Sequence, residues 1–185
     1  MKLQLTLILV IVLLSTMKLH CQDIELGAGF GYGTQIGAVS FNIRSFYKLK
    51  KGIEVGPNFQ FSLINKSSDE FVDYGASRQD YSVLARYELE KFDLIKQIRF
   101  YPLLGISLIN LKYSGESKFS NNPILQVEDS SDLFLGFLAG IGAKYQLSAL
   151  ITLYGEAGYH ISKEAQALLN VGIVYKIHLP FAKNE

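Results

Sequence analysis

Apolar and polar residues alternate along much of the chain, and the stretch from Asp132 to Tyr145 shows the pattern most clearly. A β-strand places successive side chains on opposite faces. One face of this stretch would carry bulky residues such as Phe137 and Ile141, and the other mainly glycines, followed by Lys144. A membrane-spanning helix needs about 20 apolar residues, so the run is too short for the helix pairing that its GxxxG spacing would favour. The pattern therefore predicts a strand with one apolar and one glycine-rich face.

The same alternation divides the chain after residue 22 into eight segments. They span residues 24–32, 36–47, 53–63, 81–89, 97–111, 132–145, 151–161 and 166–177. Residues 65–80 and 114–131 are polar and are predicted to form long loops. Alternating segments of about 10 residues joined by turns are typical of transmembrane β-barrels. We therefore predict an all-β fold, an eight-stranded antiparallel up-and-down transmembrane barrel. Its even strand number places both termini on one side, the periplasm.

Residues 1–21 have the pattern of a secretory signal peptide, in which a lysine precedes the apolar run 3–14 and polar residues follow. Cleavage after Cys21 would leave a barrel domain, 22–177, and a short tail, 178–185. Lipid attachment at Cys21 is an alternative. Because Cys21 is the only cysteine, the cleaved chain would have no disulfide and must be stabilised in another way. A closed barrel in a membrane is one such way.

The charge balance and the short motifs exclude several classes of function. The full chain has 18 basic and 17 acidic residues, and removing 1–21 leaves 16 and 17, a net charge of −1. A nearly neutral chain gives no reason to expect a nucleic-acid partner. No Cys/His cluster has metal-ligand spacing, and the glycine-rich stretch 27–33 lacks the strand and helix that flank a dinucleotide loop. We expect neither a metal nor a cofactor.

Charged residues fall on the predicted inward face of the strands, and an eight-stranded barrel has an interior that side chains fill. The inward set is Glu25, Arg44, Glu54, Arg86, Glu88, Arg99, Lys144, Glu156 and Lys176. Unpaired buried charges are costly, so we predict a network that fills the periplasmic half of the lumen and blocks conduction. The predicted pairings are Arg44 opposite Glu54, Glu88 opposite Arg99, Lys144 diagonal to Glu156, and Lys176 close to Glu25.

Tyrosines on the outward face cluster towards the two predicted strand ends. The outer set is Tyr32, Tyr81 and Tyr159, and the periplasmic set is Tyr47, Tyr87, Tyr145 and Tyr175. Tyrosine rings are enriched at both interfaces of a membrane, where the ring is apolar and the hydroxyl is wet. These residues are therefore predicted to form two aromatic girdles.

The export signal, the strand number, the glycine-rich inner faces and the stretches LYGEAGY (153–159) and NVGIVY (170–175) resemble small outer-membrane β-barrel domain proteins of Gram-negative bacteria, of the porin-family or OmpX-like type. The resemblance covers about residues 22–177. It implies a location in the cell outer membrane, contact with its lipid, folding by the barrel-assembly machinery, and a non-enzymatic structural role or a surface partner at loops 65–80 and 114–131. Such barrels commonly end on an aromatic residue that the assembly machinery recognises. In this chain Phe181 or Tyr175 would have to be that residue.

Two other functions match parts of the sequence less well. A soluble exported barrel of the lipocalin type, holding a small ligand, would need apolar residues inside and polar ones outside, the reverse of this pattern. The His160-Ile-Ser162 spacing is similar to that of outer-membrane lipid A deacylases. Residues two apart share a face of a strand, as a serine and histidine that act together require. Lys163 and Glu164 replace that family's next residues, and apolar Val174 stands where its glutamate is expected. We therefore expect no enzyme and predict an ordinary polar role for His160 near the rim.

Overall fold

A computed structural model describes residues 23–49, 52–68, 72–89, 97–117 and 130–178 of the chain. The predicted signal peptide, its cleavage site at Cys21 and Phe181 lie outside these ranges. Within them, no helix is long and apolar enough to cross a membrane.

The described residues form one antiparallel sheet of nine assigned strands. The strands are β1 (Asp23–Gly33), β2 (Ala38–Lys48), β3 (Ile53–Ser62), β4 (Asn65–Ser68), β5 (Val72–Tyr87), β6 (Ile98–Ser117), β7 (Ser130–Gln146), β8 (Ile151–Ile161) and β9 (Gln166–His178). Consecutive strands pair with each other, except that β3 and β4 both pair with β5 and not with one another. β1 pairs with β9, and the pairing of β3 with β5 closes the sheet into a barrel. We call the end with the start of β1 and the end of β9 the lower end, and the opposite end the upper end.

Strands β3 and β4 together make one wall of the barrel, so the nine strands build eight walls. Phe61 of β3 lies opposite Gln79 of β5, and Asn65 of β4 lies opposite Ala76. Four steps along one strand therefore match three along the other, which is the one-residue excess of a β-bulge. The predicted eight-stranded up-and-down barrel is confirmed.

The two predicted loops are partly wrong. Strand β8 begins and ends where it was predicted, but β4 and the first half of β5 lie within 65–80, and β6 and β7 extend into 114–131. The β5–β6 ladder continues without a break up to the pair Val72 and Ser117. Backbone hydrogen bonds sustain this extension whether or not one face is apolar. The alternation of the sequence therefore ends where the apolar surface ends, before the strands do.

Apolar side chains cover the outside of the barrel and polar ones are buried within it. Leu135 and Ile141 are 71% and 69% exposed, whereas Arg44 and Glu54 are each 2% exposed. A soluble protein shows the opposite arrangement, and an outward apolar band around a polar interior is the arrangement of a transmembrane barrel. The lipocalin-type alternative does not fit these faces.

Some inward positions are apolar, and their side chains form two clusters inside the barrel, which we call the central plug and the upper plug. The central plug consists of Phe46, Leu84, Leu103, Leu138 and Leu168. The upper plug consists of Ile36, Ala38 and Leu111, with Ala76 and Phe134 packed against it. The lumen therefore contains apolar layers as well as charges.

Candidate functional site in the lumen

The lower part of the lumen is organised around Lys144, which projects from β7. Its Nζ lies 3.0 Å from Glu25 Oε2, 2.9 Å from Glu54 Oε2 and 2.9 Å from Glu88 Oε1. The carboxylates come from three strand regions on different sides of the barrel, and all four residues are buried. A single ammonium group therefore ties its own wall, β7, to three others through the interior.

Arg86 supplies the second cation of this lower charge cluster, which we define as Glu25, Glu54, Arg86, Glu88 and Lys144. The Arg86 guanidinium donates hydrogen bonds to Glu25 and Glu54 and lies 3.6 Å from the centroid of the Phe46 ring. Arginine stacks on aromatic faces while it binds carboxylates. Phe46 therefore joins the charge cluster to the central apolar plug.

Next to this cluster, Arg44 and Glu156 form a second buried ion pair across the lumen. Arg44 Nη1 lies 2.6 Å from Glu156 Oε1, and Tyr101 donates to the same oxygen at 2.8 Å. The Arg44 guanidinium also lies 4.3 Å from the centroid of the Tyr154 ring, whose hydroxyl donates to Asn42 at 2.7 Å. This pair has hydrogen-bonding and aromatic partners on both sides.

The predicted pairing of Arg44 with Glu54 is wrong. In the β2–β3 ladder Arg44 lies opposite Asn58, and Glu54 lies opposite Lys48, a shift of four residues along β3. The turn closes through the Leu49 N–H, which donates to Ile53 O, with Gly52 at a φ of 76°. A left-handed residue favours glycine. The turn geometry therefore sets this register. Because the shift is an even number of residues, both charges stay on the inner face of the barrel.

The other predicted neighbours are close to one another, although their side chains bind elsewhere in two cases. Arg99 Nη1 lies 3.0 Å from Glu88 Oε2. Glu25 lies opposite Lys176, but its carboxylate bonds to Arg86 and Lys144. Glu156 lies opposite Gly142, one diagonal step from Lys144, yet it binds Arg44. Contacts across the lumen replace contacts between adjacent strands.

The three carboxylates of the lower cluster are close enough to hold a cation. Oxygen atoms of Glu25, Glu54 and Glu88 lie within 4.8 Å of one another. Oxygen ligands at such spacing suit hard cations, but the Lys144 ammonium already bonds to all three. The arrangement supplies the carboxylates with a cation that belongs to the chain itself.

A second polar cluster lies higher in the lumen, around Arg78. Arg78 Nε donates to Asp80 Oδ1 at 2.8 Å, and its Nη2 lies 3.0 Å from Nδ1 of His160. The other ring nitrogen of His160, Nε2, lies 2.9 Å from Ser107 Oγ, which is 2.8 Å from Ser82 Oγ. These five residues, the upper polar cluster, join β5, β6 and β8.

Ser107, His160 and Asp80 have the residue types of a hydrolytic triad, since His160 Nε2 lies beside Ser107 and His160 Nδ1 lies 3.5 Å from Asp80 Oδ2. Their hydrogen-bond donors and acceptors are nevertheless arranged wrongly for it. A guanidinium can only donate, so Nδ1 of His160 accepts from Arg78 and Nε2 carries the hydrogen. The imidazole then donates to Ser107 and cannot remove its proton, as a general base would have to. Ser107 is also 0% exposed, so its hydroxyl is not accessible from outside the barrel.

The His160 and Ser162 pair likewise does not form a catalytic contact. Ser162 donates its hydroxyl to the Glu164 carbonyl at 2.8 Å, and His160 is 1% exposed. His160 is therefore buried in the upper polar cluster, deeper than the rim position predicted for it.

Arg78 and Asp80 were not predicted to lie in the lumen because they fall in the segment 65–80, which was assigned to a loop, whereas Ser82 falls in the predicted strand 81–89 but was not counted among the site residues. A signal was present: all three continue the inward parity of Arg86 along β5. Polar residues alternating on the same parity can extend a strand beyond its apolar section.

The predicted girdle tyrosines lie on the outer surface of the barrel. Six of them are 39–50% exposed, namely Tyr32, Tyr81, Tyr87, Tyr145, Tyr159 and Tyr175, and Tyr47 is partly exposed. Tyr81 is not at a strand end, since β5 begins at Val72. It nevertheless lies at the upper edge of the apolar band, because the next outward residue above it is Gln79.

Solved structures with the same fold include outer-membrane barrels. Neisserial surface protein A has a TM-score of 0.58 and 12% identity, with 85% of this chain and 96% of that one covered. The N-terminal β-barrel domain of Pseudomonas aeruginosa OprF has a TM-score of 0.58 and 13% identity, covering 85% and 98%. A major outer membrane protein from Thermus thermophilus has a TM-score of 0.66 and 14% identity, covering 84% and 99%. No protein-family model and no curated protein matches the chain. The chain has the fold of outer-membrane β-barrels, and its outward apolar band fits that location.

Proposed function

We infer that the chain is a non-enzymatic outer-membrane β-barrel protein with a closed lumen, acting as a structural element and as a surface for partners at its upper end. The observation that carries this proposal is the filling of the lumen. The lower charge cluster, the central plug and the upper polar cluster follow one another along the barrel, and their side chains are almost all buried. In the proposed orientation the lower end, with the start of β1 and the end of β9, faces the periplasm.

A closed lumen predicts that ions do not pass. Each cation of the lower charge cluster is bonded to carboxylates, so an ion that entered would have to break these pairs inside the barrel. Purified protein in a planar bilayer should give no stable single-channel current. Selective, reproducible current steps that scale with protein concentration would contradict the closed lumen.

The upper end supports the surface role, because the backbone of β7 is paired there on one side only, among the residues that the structure describes. β7 pairs with β6 up to Ser130, but its described pairing with β8 begins only at Phe137. An exposed strand edge can accept an added strand from another chain. Lys163 Nζ, 2.7 Å from Asp132 Oδ2, bridges the gap beside this edge.

The surface role is tested by changing the edge without changing the barrel. Leu133→Pro removes a backbone donor within 130–136, while Leu169→Pro lies on β9 between two partner strands and serves as a misfolding control. Surface pull-down from intact cells should lose its partners with Leu133→Pro, while heat-modifiable migration of the folded barrel remains. Membrane fractionation tests the location, and recovery of the protein in the soluble fraction would overturn it.

A further inference from the structure

Four buried polar side chains around the inner face of β1 each have an atom with no hydrogen-bond partner among the residues that the structure describes. Two of these atoms are donors, Asn42 Nδ2 and Arg44 Nε, and two are acceptors, Glu156 Oε2 and Asn170 Oδ1. Their residues are only 0–7% exposed. A buried polar group that forms no hydrogen bond loses its bonds to bulk water without replacing them. Native interiors therefore supply nearly every such group with a protein or solvent partner.

The inner face of β1 above the lower charge cluster consists of glycines, and polar groups from the neighbouring walls lie on it. A Cβ added at Gly31 would collide with Asn170 Oδ1, which comes from β9. A Cβ added at Gly29 would collide with the Tyr154 hydroxyl, which donates to Asn42 Oδ1 at 2.7 Å. Asn42 lies opposite Gly29 on the other side of β1. The two asparagines therefore converge over β1 from the walls on its two sides.

Asn42 and Asn170 do not reach each other directly. Their strands, β2 and β9, each pair with β1 and not with one another. Two strand spacings amount to about 9.6 Å, whereas an N–H···O hydrogen bond joins atoms about 2.9 Å apart. A small group between the two side chains, accepting from Asn42 Nδ2 and donating to Asn170 Oδ1, would give both atoms a partner.

Arg44 and Glu156 present the same combination of donor and acceptor. Arg44 Nη1 binds Glu156 Oε1 at 2.6 Å, which leaves the donor Nε and the acceptor Oε2. A metal cation would lie beside the guanidinium and leave the donors unpaired, and an anion would be repelled by the carboxylate. Water both donates and accepts, and a buried water typically makes about three hydrogen bonds to otherwise unsatisfied groups. The chemistry of the four atoms therefore fits water.

We propose that ordered water molecules occupy the inner face of β1, one bridging Asn42 Nδ2 to Asn170 Oδ1 and another bonding to Arg44 Nε and Glu156 Oε2. They solvate the buried ion pair, which is stable only if its remaining donors and lone pairs also have partners. The site goes beyond the proposed function and depends on the lumen side chains alone. Ion currents in a planar bilayer would contradict the closed lumen without deciding for or against the water.

Nuclear magnetic resonance of the deuterated, isotope-labelled protein in lipid nanodiscs measures the contact with water. Magnetisation from water should reach the Asn42 side-chain amide and Arg44 Nε–H, with the rotating-frame sign of direct contact and not of proton exchange. Arg86 Nε–H is the matched control, because Arg86 is as buried as Arg44 but its Nε donates to Glu54. It should receive no transfer. Absence of transfer to Arg44, or equal transfer to Arg86, would overturn the proposal.

Two leucine variants locate the bridging water. Asn170→Leu removes the acceptor and should abolish the transfer to Asn42, while that to Arg44 remains. Asn58→Leu makes the same change on β3, away from β1, at a residue whose Oδ1 is also unpartnered, and should preserve both transfers. Heat-modifiable migration shows whether each barrel is folded, and the wild-type comparison of Arg44 with Arg86 decides the matter if a variant is not. Transfer to Asn42 that survives in folded Asn170→Leu would overturn the bridge.

Exchange of sodium for potassium or choline in the buffer tests for a bound cation. Water predicts the same chemical shifts of the Asn42 amide and Arg44 Nε–H in all three buffers. Shifts that depend on the cation, and that lose this dependence in Glu156→Gln, would overturn the proposal in favour of a metal ion.

Discussion

The Nζ of Lys144 and Oε2 of Glu54 lie 2.9 Å apart inside the barrel, although the residues are 90 positions apart in sequence. They project from β7 and β3, which are not neighbours in the sheet. Their contact is thus made through the lumen, and it connects two walls that share no backbone hydrogen bonds.

Lys144→Met should destabilise the barrel strongly. Removing one partner of a buried ion pair typically costs about 3–5 kcal/mol, because it leaves uncompensated charge in the interior, and here three carboxylates lose a common cation. Urea unfolding in lipid vesicles measures the change. Lys163→Met is the matched control, since its pair with Asp132 is exposed, and it should change the free energy of unfolding little. Equal effects of the two variants would contradict the central role of Lys144.

The Lys144→Met barrel should gain affinity for divalent cations. Its three carboxylate groups, with oxygens within 4.8 Å of one another, would face the space that the ammonium occupied. Ca²⁺ accepts six to eight oxygen ligands in flexible geometry, and a ligand that binds only the folded state stabilises it. Millimolar Ca²⁺ should raise the unfolding midpoint of Lys144→Met and leave the wild type unchanged. An identical Ca²⁺ response in both proteins would contradict this.

Neither Ser107→Ala nor Ser162→Ala should alter the acylation of lipid A, which mass spectrometry of extracted lipid A would measure in expressing and non-expressing cells. The two variants should differ in stability. Ser107→Ala leaves the His160 Nε2–H without its acceptor, which costs about 1–3 kcal/mol for a buried group. Ser162 is only partly buried, so its change should be smaller. Deacylation that depends on either serine would refute the structural role.

Alanine at two glycines should have opposite consequences. At inward Gly29 a Cβ would collide with the Val171 carbonyl oxygen and with Tyr154 Oη. Overpacking of this kind costs about 1–3 kcal/mol. At outward Gly155 there is open space, and alanine should be neutral or stabilise by up to about 1 kcal/mol through a smaller loss of backbone entropy. Urea unfolding midpoints of Gly29→Ala and Gly155→Ala are measured beside the wild type. A midpoint of Gly155→Ala as low as that of Gly29→Ala, or lower, would contradict the prediction.

Arginine scanning of the outer face of β6 should locate the upper boundary of the membrane. Ile106, 64% exposed on the outer face, lies within the apolar band, and arginine near the bilayer midplane costs about 2–4 kcal/mol. Ser114 lies on the same face, in the polar extension of the strand, and Ser114→Arg should have almost no effect. A large penalty at Ser114 would mean that lipid covers the extension as well.

Several features of this protein could be predicted from its sequence because they depend only on local order. Alternation determines which side chain faces which side, so the outward Phe137 and Ile141 and the inward Lys144 were predicted correctly, as was the number of walls. The side chains of a strand alternate between its two faces even when the sheet is bent into a barrel. The two faces can therefore be predicted without knowing which strands pair with each other.

Two features depended on tertiary structure. The ends of β5, β6 and β7 extend into polar sequence, because backbone pairing continues after the apolar surface has ended. The partners of the lumen charges are also not local: Arg44 binds Glu156, 112 positions away, instead of Glu54. In a narrow barrel a long side chain reaches across the interior as easily as along a hairpin. The sequence by itself therefore determined the faces and the number of walls, whereas only closure of the barrel decided which buried charges meet.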